Sequence, residues 1–547
     1  MIIDTISFLL ITYISLCSFI GFGILINSIL FKENITINIF NNFFLSLVFI
    51  IPLSVVYYIF IGNHKLINIF ILLIGFFIFL KKSNYNDIKF ISFVTILFFI
   101  GLLISKSHED FSVYHFQHIV ELSDGNLKFG LSNLDTRYFY SSIYSYVQTL
   151  FRFYYFEYNL INIPSYIIFL SLIGYLFREI QRNNNNFINT FFLIIIIFKF
   201  KRFSEFGYDY IGQFILIYLF SEFIYKKRLN SIVLNAKLIL IYTTTVMIKI
   251  TNIYFLPFLI IKFFFKKKPL DTLKIFKTKM LILPFLMLIF IFTINSFLKT
   301  GCFNYLLKKT CISSAKHSWV LEYDQIEFSK KLSKNWSRGF YHQTENKYKE
   351  EDYNKNFKWV INWMNGHFLI KIFPFILLLI FMLLIIRFFI FKKRSLIKSN
   401  DKLCLLASFL AILIWLINFP QYRFGFTAVI IFVFLIFELF LNIPEKFQKK
   451  RFIGILLIGT IFFNLSNLSR ISSEIKREDV YNFNNFPWFA KPPAYFKKEV
   501  SNNSKYLRSQ KGNNFWRTCF NAHLICVNHD DKIDIKKKNR LVYISKN

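Results

Sequence analysis

FISFVTILFFIGLLI, residues 90–104, runs straight into SKSHEDFSVYHFQH, residues 105–118. The first stretch carries no charge over its 15 residues, and the second sets three histidines, Glu109 and Asp110 within positions 108–118. At a rise of about 1.5 Å per residue, such an apolar helix crosses most of a hydrocarbon core. A cluster of titratable groups at its end reads as the polar mouth of a membrane span.

The same alternation recurs along the chain. Of 547 residues, 55% are hydrophobic, and the mean hydropathy is +0.45. A soluble domain of this length needs far more polar surface, so the class is a multi-pass membrane protein. Apolar runs at 5–30, 40–61, 66–81, 90–104, 159–177, 187–200, 211–225, 231–248, 250–265, 279–298, 368–391, 403–419, 424–441 and 451–464 predict an all-α polytopic bundle of about fourteen transmembrane helices. The first run, Thr5–Leu30, is long enough to span and lacks a small-residue cleavage site, so no removable signal peptide is expected. The bundle occupies 1–464, with long loops at about 105–158 and 299–367, and a hydrophilic C-terminal segment fills 465–547.

A net charge of +35 suggests a polyanionic partner, but the placement of the lysines excludes nucleic acid. They collect in KKSNYNDIK (81–89), REIQRNNNN (178–186), KKR (226–228), KKKPLDTLKIFKTK (266–279), KKRSLIK (392–398) and EKFQKKR (445–451). Short basic loops mark the cytoplasmic side. Alternation then puts both termini, the two long loops and the C-terminal segment outside. The aromatic stretch YFYSSIYSYVQTLFRFYYF (138–156) would invert everything downstream if it crossed, so it is read as an interfacial or re-entrant helix.

On this scheme His64, His108, His115, His118, His317, His342, His367, His523 and His529 all fall outside. Cys302 with Cys311, and Cys519 with Cys526, form two close outer pairs. In an oxidising compartment they read as disulfides, with four free thiols as the alternative; the spacings do not favour zinc.

Ionisable groups at membrane depth cost about 2.5–3.5 kcal/mol each and need a reason. His108, Glu109 and Asp110 follow one span. Lys201, Arg202, Glu205 and Asp209 lie in KFKRFSEFGYDY (199–210), Lys249 in TTTVMIKITN (243–252) and Arg423 in NFPQYRFG (418–425). Four separate turns therefore bring acids and bases to the outer surface. Simpler roles exist for each. Asp110 could cap a helix, Lys249 and Arg423 could snorkel to the headgroups, and the like charges Glu205 and Asp209, four apart, need a nearby cation. His115 and His118 could share a divalent metal with Asp110, but the ligand set is incomplete and hydrogen bonding suits them better. No cofactor is assigned.

The sequence resembles the GT-C glycosyltransferases, the polyprenyl-phosphate-sugar-dependent membrane enzymes related to protein mannosyltransferases, and more narrowly a bacterial branch of them. EDFSVYHFQHIVEL (109–122), GLSNLDTRYFYSS (130–142), EFGYD (205–209) and IKIT (248–251) carry the likeness. So do TGCFNYLLKKTC (300–311) with Trp319, PQYRFG (420–425) and GNNFWRTCFNAHLIC (512–526). The resemblance implies a GT-C-like bundle in the bacterial inner membrane with its active face outside. Asp110, with Glu109 beside it, would be the catalytic acid-base residue. Arg423, Lys249 and Arg137 would hold the lipid phosphate, with His115, Glu205 and Asp209 completing the substrate site. The partners implied are the bilayer, a polyprenyl-phosphate-linked sugar donor, and a glycan, lipid or protein acceptor. An O-antigen polymerase or ligase-like enzyme is one alternative. A polysaccharide or ion transporter is another, but it calls for mid-membrane charges and inverted repeats that the sequence does not show.

Overall fold

The structure, a computed structural model, is described for residues 2–32, 38–103, 114–140, 142–154, 156, 158–182, 186–203, 207–225, 232–265, 278–342, 349–390, 400–441, 449–476, 496–501, 504–509, 525–527 and 533–546. Among them eight helices are long and apolar enough to cross a membrane: Ile2–Leu30, Phe40–Phe60, Tyr85–Leu102, Ile163–Gln181, Lys279–Thr300, Trp359–Phe389, Tyr422–Phe440 and Arg451–Ser473. Shorter apolar helices cover Phe187–Phe200, Ile232–Ile248, Ile250–Phe263 and Lys402–Asn418. The chain is a helical membrane protein.

Apolar side chains all round a helix leave helix–helix packing to shape rather than to water exclusion. Small residues allow close crossings. A methyl group on Gly21 would lie 1.9 Å from the Gly75 carbonyl oxygen, so the helices Ile2–Leu30 and Lys65–Lys82 touch backbone to backbone there. Ile163–Gln181 is buried on nearly every face. By contrast, Leu283, Phe290, Phe381 and Ile458 on outer helices are exposed, as expected for side chains that face lipid.

Contacts between the helix connections fall into two groups, as an alternating course of the helices requires. At one end Arg178 pairs with Asp87 at 3.2 Å, Asn38 donates to Glu179, the Lys237 ammonium lies over Phe31 and Arg451 donates to the Phe389 carbonyl. These are neighbours of the lysine-rich loops. At the other end Asn63 donates to the Thr149 carbonyl, Arg470 to the Gly101 carbonyl and Arg338 to the Ile417 carbonyl. The long loops and the C-terminal strands belong to this second end.

The aromatic stretch does not form one helix. It gives a 3-10 turn, Thr136–Tyr140, and a short helix, Tyr144–Thr149, too short to cross a bilayer. Tyr144, Tyr146, Leu150 and Phe151 are buried, so this segment is packed into protein.

The C-terminal segment departs from an all-α description. Among the described residues it contributes five strands, β2 (Phe496–Ser501), β3 (Ser504–Ser509), β4 (Cys526–Val527), β5 (Ile533–Lys538) and β6 (Leu541–Lys546). In β5 and β6 buried Ile533, Ile535, Val542 and Ile544 flank half-buried Asp534 and Tyr543, the period-two pattern of a half-covered hairpin, and the exposed run Lys536, Lys537 and Lys538 ends β5. β6 pairs in parallel with β1 (Leu127–Phe129) of the first long loop. Asn133 then joins three segments, donating 2.8 Å hydrogen bonds to the carbonyls of Trp319 and Ile544. Cys302 and Cys311 form a disulfide. Cys526 is also disulfide-bonded, and Cys519 lies outside the described residues.

Candidate functional site

The apolar helix Asp209–Leu219 begins just after Gly207, whose φ of +134° favours glycine. A methyl group at Gly207 would also stand 3.2 Å from His115 Nε2. Nearby, the helix Ile232–Ile248 breaks at Lys249, which is extended (φ −150°, ψ 115°) before a 3-10 turn over Ile250–Phe255. A third break precedes the helix Tyr422–Leu441. These interruptions place three charged side chains together. Lys249 Nζ lies 2.6 Å from Asp209 Oδ1, and Arg423 Nε lies 3.3 Å from Asp209 Oδ2.

Each carboxylate oxygen therefore faces a different cation. Asp209 is 15% exposed and Lys249 19%, so solvent screens the cluster only partly. Burial by itself raises the Asp209 pKa, but Lys249 and Arg423 outweigh it and hold the carboxyl well below the usual range. Asp209 is ionised at neutral pH and is a poor proton acceptor.

Aromatic rings wall the cluster. Lys249 Nζ is 4.8 Å from the Phe424 ring centre and 5.3 Å from that of Tyr208. The Arg423 guanidinium is 4.9 Å from the Trp336 ring centre. His115 sets its ring edge-on to Tyr208, with centroids 5.0 Å apart. On the side of the helix Asn186–Phe203, Lys199 Nζ donates to the Tyr422 hydroxyl at 2.8 Å and lies over its ring.

Below Asp209 by one helical turn, fully buried Gln213 ties the three broken elements together. Its amide donates to Asn252 Oδ1 and the Phe424 carbonyl. Its Oε1 accepts from the Tyr254 hydroxyl and from the Thr427 backbone N–H. Two indoles clamp the loop that carries Arg423: Trp363 Nε1 donates to the Pro420 carbonyl and Trp415 Nε1 to the Gln421 carbonyl. Gln213, Trp363 and Trp415 were not legible as site residues. The one sequence signal was a lone glutamine inside DYIGQFILIYL.

The sequence grouped more residues than the described cluster contains. Asp209, Lys249 and Arg423 meet, with His115 beside them. Arg137 forms a bidentate pair with Asp135, at 2.5 and 2.9 Å, and lies over the Tyr114 ring. Glu109, Asp110 and Glu205 lie outside the described residues. His118 is buried against Tyr138, and burial pushes its pKa well below 6.5, with Lys299 adding to the effect. Its Nε2 has no hydrogen-bond partner among the described residues. Among those residues no three His, Cys, Asp or Glu side chains are grouped for a metal.

Glu121, in the first-loop motif, has a structural role. Its carboxylate bonds Lys128 Nζ at 2.5 Å, the Gln117 amide and the backbone N–H of Cys526. Asp124 completes the charge balance on Lys128 at 2.8 Å. Burial opposes the Lys128 ammonium, but these two carboxylates raise its pKa overall.

No curated protein and no solved structure matches the chain. Residues 1–430 match the family described as a domain of unknown function, DUF8201, and thus include Asp209, Lys249 and Arg423 but not the C-terminal strands. With most of its length covered by that match, the chain belongs to this family.

Proposed function

We propose that this protein is a membrane glycosyltransferase of the GT-C type, which transfers a sugar from a polyprenyl-phosphate donor to a cell-envelope acceptor on the outer face of the bacterial inner membrane. The observation that carries this reading is the Asp209–Lys249–Arg423 cluster. Three interrupted helices set two cations around one carboxylate, at helix ends. Lys249 supplies a compact charge and Arg423 a planar donor fork, a pairing suited to a phosphate monoester or diester.

Asp209 keeps both cations oriented while the site is empty. Its two cations make it a weak base, so the base lies elsewhere, and the resemblance assigns that role to Asp110. In this mechanism Asp110 takes the proton of the acceptor hydroxyl. The freed oxygen pair bonds to the anomeric carbon, and the carbon–oxygen bond to phosphate breaks with inversion. The prenyl phosphate leaves with the electron pair, and Lys249 and Arg423 stabilise its growing charge.

The back-and-forth course of the chain supports about fourteen passes, including those shorter than a full span. The basic loops then face the cytoplasm and the cluster faces out, with both termini. A disulfide at Cys302–Cys311 suits an oxidising exterior.

The test is transfer of labelled sugar from undecaprenyl-phosphate sugars by the purified protein in nanodiscs. Wild type should transfer and Asp110→Asn should not, with its melting temperature unchanged. Full activity in Asp110→Asn would remove the proposed base.

A further inference from the structure

Trp336 is an anomaly in its own helix. The helix Tyr323–Ser337 is amphipathic, and its end is fastened with care. Asn335 and Arg338, on either side of Trp336, are buried. Arg338 donates to Asn354 Oδ1 at 2.7 Å and to the Ile417 carbonyl at 2.6 Å, and its guanidinium covers Trp359 at 4.5 Å. The Tyr353 hydroxyl donates to the Arg338 carbonyl at 2.8 Å. Between these anchors Trp336 remains 44% exposed while its ring lies against the Arg423 guanidinium.

A tryptophan left open by a freely moving loop would carry no meaning. Here Asn335 accepts from the Asn354 amide on one side, and on the other Arg338 is fastened to the end of the helix Asn400–Asn418 and lies over Trp359 at the start of the span Trp359–Phe389. The segment that carries the indole is therefore fastened on both sides, beside one of the two cations of the proposed phosphate site. A flat apolar ring next to a phosphate-binding arginine suits the C–H face of a pyranose attached to that phosphate. The simpler role is a headgroup-level anchor of the aromatic-belt kind. That role does not require contact with Arg423.

We propose that Trp336 is the sugar platform of the site, stacking on the pyranose of a phosphate-linked donor while Arg423 holds the phosphate. The proposal rests on the lipid-phosphate reading of the Asp209–Lys249–Arg423 cluster.

The experiment uses the full-length protein in nanodiscs. The probes are undecaprenyl phosphate and undecaprenyl phosphate bearing mannose, glucose or N-acetylglucosamine, with binding read by native mass spectrometry. Wild type should bind at least one sugar-bearing lipid more tightly than the sugar-free lipid. Trp336→Ala should weaken that sugar-bearing lipid about tenfold and leave sugar-free lipid within about twofold. Trp336→Phe, which keeps a flat ring, should retain most of the preference. Equal weakening of both lipids, no change in either, or a wild type without sugar preference would overturn the platform while leaving the phosphate site intact. If wild type binds none of these lipids, the phosphate reading fails first and the platform with it.

Discussion

Lys249 and Asp209, forty residues apart in sequence, meet at 2.6 Å where the helices carrying them are both interrupted. Lys249 is held in an extended backbone between two helical segments, and Asp209 starts its helix after a glycine at positive φ. Each charge thus stands at a helix end facing the other, with Arg423 on the far carboxylate oxygen. Neither residue could occupy a regular mid-helix position and keep this geometry.

Removing the carboxylate leaves two cations facing each other in a partly desolvated site. Asp209→Asn should lower stability by about 3 kcal/mol, and Lys249→Met added to it should recover part of that loss. Thermal unfolding in detergent of wild type, both single variants and the double variant checks this. Strictly additive effects would show that the 2.6 Å contact carries no coupling.

Acid should affect the two titratable groups differently. The Asp209 pKa is depressed on folding, so its contribution is present above the unfolded value of about 3.9 and is lost only as pH falls towards the lower folded value. It adds no slope between pH 5 and 8. His118 is buried and neutral, with its pKa also depressed below 6.5. Its contribution is complete above that unfolded value and declines below it, by about 1 kcal/mol at pH 5.5. Melting temperatures from pH 8 to 5 should fall less steeply in His118→Gln than in wild type. Parallel curves would mean that His118 is protonated in the folded protein.

Glu121 should govern the docking of the C-terminal strands. Glu121→Ala strips buried Lys128 of one counter-charge and the Cys526 N–H of its acceptor, at a cost of about 3 kcal/mol. Hydrogen exchange across β4 to β6 should rise well before the bundle is affected. Unchanged protection there would assign the docking to the β1–β6 ladder alone.

The Cys302–Cys311 bridge closes a short loop, and Cys302→Ser should cost about 2–3 kcal/mol. In intact cells a membrane-impermeant alkylating reagent should label Cys311 in that variant. Cys311 is only partly buried, so protection from the reagent would place this end on the cytoplasmic side.

The convergence of Asp209, Lys249 and Arg423 was legible because charge in an otherwise apolar chain is costly and can be tolerated at few places. Hydropathy likewise marked where the helices lie. What sequence could not supply was the non-charged scaffold: Gln213, Trp363 and Trp415 are single residues among many polar and aromatic ones, and only their three-dimensional partners distinguish them. Arg137 stood next after Arg423 and Lys249 as a phosphate ligand, and Asp135 two residues away pairs with its guanidinium. The division of the aromatic stretch 138–156 into a 3-10 turn and a short helix was hidden because its residues pack into protein on several sides and so lack a one-sided period. In the C-terminal segment the alternation of β5 and β6 was brief and masked by lysines.

The central claim is that Asp209, Lys249 and Arg423 form a lipid-phosphate site. Binding of undecaprenyl phosphate and uncharged undecaprenol to the protein in nanodiscs, compared for wild type, Arg423→Ala and Lys249→Ala, tests it most directly. Wild type should prefer the phosphate, and each variant should lose about 10- to 100-fold of that preference without a change in undecaprenol binding. Equal affinity of wild type for both lipids, or a preference untouched by both substitutions, would contradict the account.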